Sequence, residues 1–100
     1  MLMVHASADV DTDKPERYGK QLASHLGRKC AVADEDGGIR ITLPADRGSG
    51  SCLLVYRPGV LELRAEAENA EVLESVRDVI GRHLERFGQR DQLVVNWRNS

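Results

Sequence analysis

Two histidines are the first residues in this chain able to do chemistry. His25 follows Tyr18 by seven residues and Leu22 by three, and His83 sits among Val79, Ile80, Leu84 and Phe87. At about 100° per residue each imidazole joins the apolar stripe of its helix. Imidazole titrates near neutrality and is the commonest metal ligand. A metal site needs more than two ligands, and the third would have to come from Cys30, Cys52 or a carboxylate that spacing does not place. HxxxH, HExxH and CxxC are all absent. A metal- or haem-binding protein using His25 and His83 is therefore the alternative reading, and the leading expectation is no metal and no cofactor. The ordinary role of such histidines is packing. Both lie near a helix C-terminus, where unpaired carbonyls accept an imidazole N–H, and both are expected to be partly buried.

A cysteine beside an imidazolium would have a lowered pKa and could act as a nucleophile. No sharp strand-to-helix turn presents Cys30 or Cys52, and both read as small buried hydrophobes in a reducing compartment. The run Asp34-Glu35-Asp36 precedes two glycines and reads as a solvated turn. Arg47-Gly48-Ser49-Gly50-Ser51 has neither the lysine nor the following helix of a phosphate-binding loop. Tyr18 and Trp97 have polar tips that seek a partner when buried. No residue is assigned a catalytic role, and the chain reads as a non-enzyme. The candidates for ligand or partner contact are His25, His83, Cys52, Tyr18 and Trp97.

These residues hang on a regular alternation of elements. Leu2, Val4, Ala6, Ala8 and Val10 share one face of a half-buried strand. Thr12 and Asp13 are candidate caps for a helix from about Lys14 to Leu26, with Pro15 in its first turn and Gly27 as its stop. Extended runs follow at Cys30 to Asp34, Ile39 to Leu43, Cys52 to Tyr56 and Val60 to Ala67. Asp36-Gly37-Gly38 and Arg57-Pro58-Gly59 supply hairpin turns between them. Cys52 to Tyr56 is apolar on both faces, so its inward side stays open. Should Leu54 and Tyr56 point inward, Leu53 and Val55 would form an apolar strip on the outer face. Asn69 caps a helix over Ala70 to Phe87, and Gly88 ends it. Leu93, Val95 and Trp97 alternate as a short closing strand. The order β-α-β-β-β-β-α-β, with one apolar stripe per helix, predicts an α+β domain: two helices on one face of a mainly antiparallel sheet.

The composition agrees. A chain of 100 residues fits one domain, and 41% hydrophobic with 30% charged residues is a globular balance. With 14 basic against 16 acidic residues, the net charge of −2 gives no surface built for a phosphate backbone, so nucleic acid is not expected as a partner. No apolar run is long enough to span a membrane, and the N-terminus MLMVHASADV lacks the features of a signal peptide. A cytoplasmic location without membrane contact is expected. A homodimer or partner contact through the outer sheet face or an exposed strand edge is expected from the apolar excess between Cys52 and Tyr56.

The combination Arg17-Tyr18, Gln21-Leu22 and His25 (RYxxQLxxH), Gly50-x-Cys52, His83-Leu84-x-Arg86-Phe87 (HLxRF) and Trp97 resembles a bacterial family known as domain of unknown function 2218. The resemblance covers essentially the whole chain. It implies a short stand-alone protein, or a module attached to siderophore-interacting, flavin-dependent reductases, and hence a setting in iron acquisition with a reductase as partner. It implies no activity and no catalytic residue. Two features depart from the family pattern, the glycine- and serine-rich loop at Gly48 to Ser51 and Gly19 within the first helix. The sequence thus points to an accessory binding module.

Overall fold

The structure is a computed structural model that describes residues 3–46 and 48–99. Its elements are β1 (Val4–Asp11), α1 (Pro15–Leu26), β2 (Ala31–Glu35), β3 (Gly38–Thr42), β4 (Gly50–Arg57), β5 (Val60–Ala67), α2 (Ala70–Phe87) and β6 (Arg98–Asn99). They form one six-stranded sheet in the order β2-β3-β4-β5-β1-β6, with every neighbouring pair antiparallel. Both helices pack on the same sheet face and against each other. The predicted order and layering are present. Leu2 and Arg47, which figure in the sequence reading, lie outside the described residues.

Alternation decides which side of each strand is dry. Ala6, Ala8 and Val10 of β1 and Leu61, Leu63, Ala65 and Ala67 of β5 are buried under the helices. The open question about β4 is answered by Cys52 and Leu54, which are fully buried on the helix side. Leu53 and Val55 therefore face outward, but each is half-buried. The anticipated apolar strip does not form there, because charged side chains cover it. Arg40 binds Glu35 at 2.6 Å and Glu66 at 3.4 Å, and Glu62 is held by Arg64 at 2.7 Å and by Arg57 at 2.9 Å. These arginine contacts hold the Glu62 carboxyl below the usual carboxylate range, the Arg64 bond contributing most.

Local signals explain most boundaries. The Asn69 side chain accepts from the Val72 N–H at 2.8 Å, as a helix cap should. Neither Thr12 nor Asp13 caps α1: the capping position falls on Lys14, and the Thr12 hydroxyl accepts from the Lys14 N–H at 3.0 Å. Of the two glycines after Asp36, only Gly37 has positive φ, at 74°. Gly38 answers a different need, since a Cβ there would lie 2.0 Å from the Leu54 carbonyl oxygen. The closing strand is also displaced. Leu93 to Trp97 is not strand; β6 is the pair Arg98–Asn99, bound to Ser7 and Ala6 of β1. The alternation of Leu93, Val95 and Trp97 comes instead from packing, with Leu93 against Gly88 and Val95 and Trp97 against Gly81 of α2.

Candidate functional site

The C-terminal halves of α1 and α2 meet at the two histidines. Their ring centroids are 5.1 Å apart at an interplanar angle of 42°, and His25 also meets Phe87 edge-on at 5.2 Å. His83 is half-buried. Its Nδ1–H donates to the Val79 carbonyl at 2.7 Å, which leaves Nε2 as the ring atom able to meet a ligand. His25 is exposed rather than partly buried, because it caps the seam between the helices instead of entering it.

This pair forms one wall of a cleft of about 450 Å³. Leu26 and Val79 continue the helical wall, Arg28, Lys29 and Cys30 come from the turn between α1 and β2, and Leu43 and Pro44 close the far side after β3. Helical spacing puts Val79 and His83, four residues apart, on one flank of α2. Gly27 ends α1 and turns the chain, with its N–H bonded to the Ala23 carbonyl at 2.7 Å, and this sets Arg28 and Lys29 at the rim. Among the described residues, no carboxylate lines the cleft. Burial pushes the Cys30 thiol up, so it is a neutral, weakly polar part of the wall. The volume lies in the range of small-molecule sites, and the pattern of apolar walls with a few polar groups at one end is typical of them.

The other sequence candidates lie elsewhere. Cys52 is on the buried face of β4 with its thiol pushed up to about 12 by desolvation, so it can contact neither ligand nor partner. Tyr18 is buried, and its hydroxyl donates to Asp91, joining α1 to the turn after α2. That bond, with burial, raises the Tyr18 pKa. Trp97 lies on the opposite flank of α2 from His83, in a shallow depression with Arg77, Asp78, Arg82 and Glu85. Sequence reading missed Arg28, Lys29 and Pro44 as cleft residues. The basic pair directly after a helix stop was the available signal for the first two. Among the described residues no group of three or more His, Cys, Asp and Glu side chains converges as a metal site would require, so the metal or haem alternative gains no third ligand. No described helix is long and apolar enough to cross a membrane.

Comparison with known proteins matches residues 7–98 to the family described as "Uncharacterized protein conserved in bacteria (DUF2218)". Among solved structures, the NMR structure of PA4090 from Pseudomonas aeruginosa is similar at a TM-score of 0.74 and 23% identity, covering 95% of both chains. A de novo designed protein with ferredoxin fold is similar at a TM-score of 0.60 and 16% identity, covering 99% of this chain and 85% of that one. At these identities the likeness is one of fold. No curated protein matches the chain.

Proposed function

The chain belongs to the DUF2218 family of bacterial proteins, and we propose that it is a non-enzymatic binding module whose cleft between His25, His83 and Pro44 takes a small anion with an apolar body. A medium-chain carboxylate is the simplest example. The observation that carries this reading is the one-sided charge of the cleft: Arg28 and Lys29 with no carboxylate among the described residues that line it, in a chain of net charge −2. The apolar part of such a ligand would lie along Leu26, Leu43, Pro44 and Val79, and its anionic end would reach the cationic rim. A cytoplasmic setting, read from the sequence, and a link to siderophore-interacting reductases, implied by the family resemblance alone, belong to the same proposal.

Calorimetric titration with octanoate, octanol and octylamine tests it. Octanoate is expected to bind tightest and octylamine weakest, and Arg28→Ala with Lys29→Ala is expected to weaken octanoate while sparing octanol. Equal binding of all three, or none, would refute the reading.

A further inference from the structure

We propose that the chain forms a symmetric dimer through the free edge of β2, with β2 of a second copy added antiparallel so that Val32 faces Val32 across the two-fold axis. Arg28 and Lys29 also stand at the cleft rim, so Val32→Pro, which lies outside the cleft lining, is the variant that separates the dimer from ligand binding.

β2 is the outermost strand on its side of the sheet, and all five of its residues are exposed. Val32 is one of the large hydrophobic side chains left exposed among the described residues. The direction of its backbone groups follows from its neighbours. The Leu43 N–H bonds the Gly50 carbonyl and the Tyr56 N–H bonds the Gly37 carbonyl, so the odd-numbered residues along β3 turn their hydrogen-bonding groups toward β4. The even-numbered residues, Arg40 and Thr42 among them, therefore turn theirs toward β2. Their register partners on β2 are Ala33 and Ala31, with Glu35 opposite Gly38. Val32 and Asp34 are left with N–H and C=O groups directed at open solvent. Such an edge is a template for another strand.

The charges flanking the edge favour a second copy as the partner. The segment reads Arg28-Lys29-Cys30-Ala31-Val32-Ala33-Asp34-Glu35-Asp36, basic at one end, acidic at the other and apolar between. Antiparallel pairing centred on Val32 sets Ala31 of one copy opposite Ala33 of the other, and brings the basic turn before β2, with Arg28 and Lys29, toward the acidic end of the partner strand at Asp34 and Asp36. It also places the outward-directed backbone groups of the two Val32 residues against each other, as a hydrogen-bonded pair requires. A shift of two residues centred on Asp34 would oppose like charges. Among the described residues, Arg28, Lys29, Asp34 and Asp36 enter no ion pair within the chain. No proline interrupts the strand and no lysine sits within it to block pairing. An edge this short buries little surface, so the dimer is a weak, reversible one.

Sedimentation velocity over a concentration series tests it. The native chain is expected to show a monomer–dimer equilibrium that loosens with added salt. Val32→Pro removes an outward N–H without touching the β2–β3 bonds, and is expected to weaken the dimer at least tenfold while leaving the circular dichroism spectrum unchanged. Arg28→Glu/Lys29→Glu and Asp34→Lys/Asp36→Lys are each expected to be monomeric alone and to form a mixed dimer together. A native monomer at millimolar concentration, a dimer untouched by folded Val32→Pro, or no association on mixing the two charge variants would overturn the proposal.

Discussion

Gly37 and Gly38 are adjacent, yet the structure gives them different jobs, and alanine substitution separates the two. Gly37 has φ of 74°, and a Cβ there would meet nothing within 4 Å. An alanine costs the left-handed strain of about 1–2 kcal/mol, less the roughly 0.4–1 kcal/mol returned by stiffening the unfolded chain. The net loss is about 1 kcal/mol, or about 4–8 °C in Tm for a domain of this size. At Gly38 the new Cβ would lie 2.0 Å from the Leu54 carbonyl oxygen and 3.2 Å from the Val55 Cα. Both are backbone atoms, and no rotamer change relieves the overlap. β3 would have to part from β4, which exceeds the ~1–3 kcal/mol of ordinary overpacking, so a loss of at least ~3 kcal/mol is expected. Thermal and urea unfolding of Gly37→Ala and Gly38→Ala measure both values. Because β3 carries Leu43 and Pro44 to the cleft, Gly38→Ala is also expected to lose octanoate binding. Equal destabilisation by the two substitutions, or the milder effect at Gly38, would refute the argument.

Further outcomes follow from the buried polar groups. Tyr18→Phe removes the bond to Asp91 and is expected to cost about 1 kcal/mol in urea unfolding. Because the folded-state pKa of Tyr18 is raised, its contribution is present below the ordinary tyrosine value and lost as pH climbs through the folded value, so Tyr18→Phe should flatten the alkaline limb of stability against pH. Glu62 has the opposite sign: its lowered pKa gives stability that is present above the ordinary carboxylate value and lost as pH falls through the folded value, and Glu62→Gln should flatten the acid limb. In thiol titration of the native protein under mildly alkaline conditions, Cys30 is expected to react slowly and Cys52 only after unfolding.

How much of this was legible in the sequence depended on range. The second helix was readable end to end, because Asn69 and Gly88 bound it and Val72, Val76, Ile80 and Leu84 repeat at its period. The strand faces of β1 and β5 were readable by alternation. β4 was not, because its outer residues Leu53 and Val55 are apolar and only the arginines of β3 and β5 reveal which side is wet. The tail misled for a related reason: an extended segment packed on a helix alternates just as a strand does, and Leu93 to Trp97 packs on the helix side at Gly88 and Gly81. Of the site, the histidine pair was visible as two residues on apolar stripes. Their approach to each other was not, since it depends on how the two helices lie side by side. The same holds for Arg28, Lys29 and Pro44, which only the β2–β3 hairpin brings to one cleft.

The central claim concerns that cleft, and the imidazole signals inside it report on it most directly. In a titration with octanoate followed by proton–carbon NMR of the histidine rings, the His25 and His83 signals are expected to move together and saturate at one ligand per chain. His5, on the outer sheet face 3.4 Å from Glu66, should stay still. Ring signals of His25 and His83 that do not move, or that move no more than that of His5, would contradict the account.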